Sequence, residues 1–141
     1  MTNAENGTPI GKTDAGDDLH METAIGNFGH TAAANEALVV VVKTARRELP
    51  EADAHRAARD WPRLAWWVHR TRGALVLFGA PELRALGERF EALGADPAHH
   101  ANAGPAFDDY RLALETWLNV ATRHLRRVRT PPACAVRGRS V

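Results

Sequence analysis

Large apolar residues recur at helical spacing in four stretches of this chain, with polar residues filling the opposite side of each turn. At about 100° per residue, such repeats mark amphipathic helices with one inward stripe. From Asn35 to Leu49 the stripe is Leu38, Val41, Val42, Ala45 and Leu49. The valine run in this stretch would also suit a strand, but no partner strand is legible elsewhere, so a helix capped by Asn35 is expected. Pro50 fits the first turn of a short further helix through about Ala58. Asp60 caps the next, with Trp61 and Pro62 in its first turn and Leu64, Trp67, Thr71, Leu75 and Phe78 on one side. Gly79 ends it. Pro81 opens a helix through Leu93 with Leu83, Leu86, Phe90 and Leu93 aligned, and Gly94 closes it. A loop is expected from Ala95 to about Pro105. The last helix, about Ala106 to Arg127, aligns Phe107, Tyr110, Leu114, Trp117, Ala121 and Leu125. Four long amphipathic helices with mostly short connections imply an all-α, antiparallel four-helix bundle with one additional short helix.

Outside residues 35–128 the pattern fades. Residues 1–34 are rich in Gly, Asn, Thr, Asp and Ala, with large apolar residues too scattered to offset the entropy of ordering, so a flexible, disordered leader is expected. Residues 129–141 read as a basic flexible tail. With 141 residues, of which 45% are hydrophobic, one domain with a real core is expected. No apolar run approaches a membrane span, and no basic and apolar signal opens the chain, which implies a soluble, cytoplasmic protein with no membrane partner. The single cysteine, Cys134, offers neither an internal disulfide nor a cysteine-based metal site.

The net charge of +1 conceals an asymmetry. Glu5, Asp14, Asp17, Asp18, Glu22 and Glu36 face one cation, Lys12, in the first 36 residues, whereas Arg123, Arg126, Arg127, Arg129, Arg137 and Arg139 meet no acid after Ala121. No aromatic residue interleaves with these arginines and no groove-reading motif precedes them, so nucleic acid is not an expected partner. A solvated helix end, favoured by the helix dipole, explains them.

His69 is where chemistry concentrates. It projects from the face opposite Leu64, Trp67, Thr71, Leu75 and Phe78, so it is not a core histidine. Arg72 and Gly73 follow on the same exposed face, the first a cation and the second an open approach. The pairs His99–His100, Glu88–Glu91 and the isolated histidines have ordinary readings: a solvated loop pair, glutamates solvated or paired with nearby Arg84 and Arg89, and helix or leader histidines without a relay partner.

The stretch from Asp60 to Glu91 resembles the core of a histidine-containing phosphotransfer (HPt) domain. In this family a His is followed three residues on by Lys or Arg, then Gly and a small residue, as in His69, Arg72, Gly73 and Ala74. The Phe78-Gly79-Ala80 helix end, Leu83, the Phe90-Glu91 pair, the upstream Asp60-Trp61 and Leu64, and the Leu49-Pro50 bend extend the match over about Glu36 to Arg127. Thr71 and Leu75 depart from the usual inward residues, and Arg72 replaces the commoner Lys, a planar fork in place of a point charge.

The resemblance implies a phosphocarrier of a two-component phosphorelay. His69 would accept a phosphoryl group from a receiver-domain aspartate and pass it to another receiver, Arg72 would offset its charge, and Gly73 would admit the partner. An exposed imidazole keeps a large neutral, nucleophilic fraction at cytoplasmic pH. No phosphate-binding glycine loop and no carboxylate cluster for Mg²⁺ is present, so the chain is expected to be no autonomous kinase and to have no cofactor of its own, Mg²⁺ residing on the partner receiver. The partners implied are receiver domains of hybrid sensor kinases and response regulators, docking on a monomer through Ala65, Trp66 and Val76 beside His69. The alternative is an HPt-like interaction module that binds or sequesters a signalling partner without being phosphorylated.

Overall fold

The computed structural model describes residues 19–129, which are all-α, with no strand among them. Five helices follow in order: α1 (Met21–Phe28), α2 (Thr31–Ala57), α3 (Trp61–Leu75), α4 (Pro81–Ala95) and α5 (His100–Arg129). Short 3₁₀ turns, Val76–Phe78 and Pro97–His99, extend α3 and precede α5. Helices α2, α3, α4 and α5 form a closed ring in which each packs against its two neighbours. Their inward stripes meet in one core around Trp117, Tyr110, Phe78, Phe90 and Phe107. Phe90 sits edge-on to Phe107 at 5.7 Å and to Trp61 at 6.4 Å. No helix among the described residues is long and apolar enough to cross a membrane.

The N-terminal expectation is corrected for the described part of the leader. Residues 21–28 are helical and α2 begins at Thr31, not at Asn35. Few apolar residues suffice because they land on prepared surface: Ala24 is fully buried, and Phe28 lies 5.7 Å from Phe78. Backbone pairing adds to this, with His20 N–H donating to Phe78 O at 3.1 Å and Asn27 Nδ2 to Leu77 O at 2.9 Å. Residues 1–18 and 130–141, with the rest of the expected leader and most of the basic tail including Cys134, lie outside the described residues.

Two further boundaries differ. Pro50 does not open a separate helix but lies inside α2. Proline removes one helical hydrogen bond, yet Pro50 is on the exposed side, while Leu49 and Ala52 hold the helix to the core. The additional short helix is therefore α1, not residues 50–58. The cap of α2 is His30, whose Nδ1 accepts from Ala33 N–H at 3.3 Å, and Asn35 instead accepts from His124 Nε2 across the fold at 3.0 Å. The loop expected over Ala95–Pro105 is mostly helical, since Asp96 caps the 3₁₀ turn and α5 starts at His100. His100 is no solvated loop residue. Its Nε2 donates to Gly94 O at 3.0 Å, and its ring lies 6.0 Å from Trp61.

Other boundaries match the sequence pattern. Asp60 caps α3 by accepting from Arg63 N–H, and Gly79, with φ of 90°, turns the chain before Pro81. A side chain at Gly79 would collide with His20, 2.8 Å from an ideal Cβ, so the residue is needed both for its positive φ and for the close passage of the N-terminal segment.

One core group lacks a partner. The Tyr110 hydroxyl is buried without a hydrogen bond among the described residues, and burial pushes its ionisation well above the ordinary phenol range, opposed by the charge of Arg72. An unpaired buried hydroxyl costs about 1–3 kcal/mol in desolvation. Tyr110→Phe is therefore expected to raise stability by about 1 kcal/mol in urea unfolding. A loss of stability would show that the hydroxyl has a bonded role.

Candidate functional site around His69

The exposed histidine is held from behind. His69 sits in the third turn of α3 with its side chain 59% exposed, and its Nδ1 lies 3.1 Å from Glu91 Oε1 on α4. Arg72, one turn on, donates Nε–H to Glu91 Oε2 at 2.8 Å and approaches Glu88 Oε2 at 3.4 Å. Arg72 Nη2 is also 3.3 Å from His69 Nδ1. One ring nitrogen cannot both donate to Glu91 and accept from Arg72. The shorter, charge-assisted contact with the carboxylate decides the tautomer, placing the proton on Nδ1. Nε2 then carries the free lone pair and has no partner among the described residues.

Glu91 thus bridges imidazole and guanidinium with its two oxygens. The hydrogen bond to Glu91 raises the guanidinium's ionisation further above its ordinary value, against a contrary effect of burial, so Arg72 is a permanent cation. With Glu88 and Glu91 present, two carboxylates surround one arginine beside His69. A phosphoryl group on Nε2 would have to draw Arg72 partly away from them.

These glutamates were expected to be solvated or to pair with Arg84 and Arg89. Instead they face α3, and Arg89 approaches Asp109 of α5 at 3.4 Å. The register of α4 on α3 decides this, and α4 comes close because of Gly87. An ideal Cβ there would lie 2.9 Å from Arg72 Cδ, 3.2 Å from Tyr110 Cε1 and 3.4 Å from Val68 Cγ1. Glycine within a helix ordinarily costs about 1 kcal/mol relative to alanine, so here it is retained against propensity. Gly87→Ala is expected to displace the Arg72 side chain, with little net stability change as propensity offsets crowding. The check is the Arg72 side-chain NMR resonance together with thermal melting; an unmoved resonance would exclude the role.

The remaining expected site residues divide. Trp66 is 64% exposed, and its ring lies 6.3 Å from His69, nearly parallel at 21°. It covers one side of the imidazole instead of folding into the core. An ideal Cβ at Gly73 would meet no atom within 4 Å beyond its own helix among the described residues, so none of them requires a glycine there. Val76 is 39% exposed at the start of the 3₁₀ turn, two turns beyond His69. Ala65 is partly buried and packs against the core. Thr71, as expected, points inward and is buried.

Among the described residues no group of three or more His, Cys, Asp or Glu is placed to hold a metal ion. The signal for Glu91 existed in the sequence only as part of the Phe90-Glu91 pair, and nothing there specified its contact with His69. Comparison with family models, with curated proteins and with solved structures returned no match to this chain.

Proposed function

We propose that this chain is a cytoplasmic phosphocarrier of a two-component phosphorelay, built as an HPt-like antiparallel four-helix bundle. The observation that carries the reading is the exposed His69 ring, with Nδ1 bound to Glu91, Nε2 without a partner among the described residues and Arg72 alongside. Nε2 attacks the phosphorus of a receiver's aspartyl phosphate; the N–P bond forms, the P–O bond to the aspartate breaks, and the carboxylate leaves. No proton has to be removed, because the attacking nitrogen carries none in this tautomer. Arg72 offsets the roughly two negative charges of the transferred group. The partner receiver supplies Mg²⁺ and the acidic cluster, and the reverse step returns the phosphoryl group to a second receiver. Gly73, Trp66 and Val76, with Ala65 beneath them, form the surface on which the receiver docks.

One observation favours a second reading, an interaction module that is not phosphorylated. Arg72 is already engaged by Glu91 and Glu88, and the excess of carboxylates opposes a dianionic phosphoryl group.

The deciding experiment incubates the full chain with an Asp-phosphorylated receiver and Mg²⁺ and scores acid-labile, alkali-stable label. Label on this chain supports the carrier, and its absence across a receiver panel, with the chain folded, supports the interaction module. Trp66→Ala is expected to slow the transfer about tenfold or more, as loss of an exposed aromatic anchor does at interfaces. A rate equal to that of a distant surface variant such as Leu112→Ala removes Trp66 from the docking surface.

A further inference from the structure

The cations near the C-terminal end of α5 find no acid among the described residues. Helices α2 and α5 run antiparallel, and along one half of their seam every arginine is matched: Arg111 pairs with Asp53 and Glu115, and Arg56 with Asp108. Along the other half stand Lys43, Arg46 and Arg47 of α2 and Arg123, Arg126 and Arg127 of α5, none in an ion pair among the described residues. Arg46 donates only to neutral acceptors, Asn119 Oδ1 at 3.0 Å and Thr122 Oγ1 at 3.3 Å. The positive field is felt locally, since burial first and then Arg127 depress the ionisation of His124. Of the acids of α2 closest to these cations, Glu36 lies two turns before Lys43, and Glu48, next to Arg47, is paired with Arg70 of α3.

Of these cations, Lys43 and Arg126 border a groove of about 150 Å³ between the two helices, lined otherwise by Val39, Val42, Leu125 and Thr122. Its size suits one branched aliphatic side chain. Unmatched cations attract any polyanion, but the apolar lining discriminates. A lipid headgroup or a nucleic-acid backbone would contact the cations and leave the apolar lining uncovered, and no aromatic side chain lines the groove to stack on bases.

We propose that this groove is a docking site for an acidic segment of a partner protein, with one aliphatic side chain seated on Val39, Val42 and Leu125 and flanking carboxylates on Lys43, Arg126 and the arginines beside them. The surface is separate from His69, so docking there does not depend on phosphorylation.

The test uses the full chain and a fluorescein-labelled twelve-residue peptide of Asp and Glu with a single central leucine, followed by anisotropy at low salt. Saturable binding that weakens as salt rises is expected. Exchanging the leucine for serine is expected to weaken it about tenfold, the effect of losing one buried aliphatic group. K43E together with R126E is expected to weaken it at least tenfold, whereas R63E, a charge reversal near the start of α3, leaves it unchanged. Both reversed residues are exposed, and K43A with R126A provides a second, milder pair should the reversal disturb folding. Binding indifferent to the leucine or to both charge variants overturns the proposal. So does tighter binding to phosphatidylserine vesicles or to a DNA duplex than to the peptide.

Discussion

His69→Gln is expected to accept no label from a phosphorylated receiver, with the loss complete rather than partial. Glutamine preserves length and hydrogen-bonding capacity near Glu91, but its amide nitrogen is no nucleophile toward phosphorus. Because the imidazole is mostly exposed, the substitution should leave stability within about 0.5 kcal/mol of wild type. Melting and label are therefore read on the same sample. Glu91→Gln sharpens the result. It removes the carboxylate that holds the Nδ1 proton and frees Arg72 from its strongest partner, so the two effects oppose each other: a less fixed tautomer slows attack, while a freer cation favours the phosphoryl group. Slower transfer by Glu91→Gln would make tautomer control the dominant contribution, and faster transfer would make the release of Arg72 dominant. Label retained on His69→Gln would place the acceptor elsewhere and end the carrier reading for His69.

Phe90→Ala is expected to be the most destabilising of the substitutions considered. The ring is fully buried, edge-on to Trp61 and Phe107, and joins α4 to both α3 and α5. Truncating such a residue costs about 3–5 kcal/mol through lost transfer energy and the cavity left behind. A domain of this size has only about 5–15 kcal/mol in total. A melting temperature lower by roughly 10–20 °C follows. Phe90→Leu, which fills much of the space, should recover more than half of the loss. The variant also tests how the site is built, because Phe90 immediately precedes Glu91 and fixes the register that brings Glu91 to His69. A small effect, under about 1 kcal/mol, would mean that α4 is not held at this point.

Local chemistry made much of this molecule legible. Asp60 caps α3 because a short carboxylate at that position can reach the N–H of Arg63, and Gly79 and Pro81 punctuate the chain through backbone constraints that act wherever the sequence places them. The spacing of Leu64, Trp67, Thr71, Leu75 and Phe78 was enough to put His69 outside. Legibility failed where distant surfaces decide. Residues 21–28 are too short a run to hold a helix by themselves, yet they fold on the turn after α3. Pro50 reads as a helix start, yet α2 runs through it because the burial of Leu49 and Ala52 outweighs one lost hydrogen bond.

The sequence by itself determined an all-helical chain, the inward stripes, most helix ends and an exposed histidine followed by a cation and a glycine, since each depends on residues within a few turns of one another. Only the tertiary structure decided that Glu91, twenty-two residues away, holds His69 and Arg72 together, that Gly87 lets α4 approach closely enough for this, and that Lys43 of α2 and Arg126 of α5 border one groove. Those contacts are set by the register between packed helices, which comes from side chains interlocking in the core and not from the periodicity of any one segment.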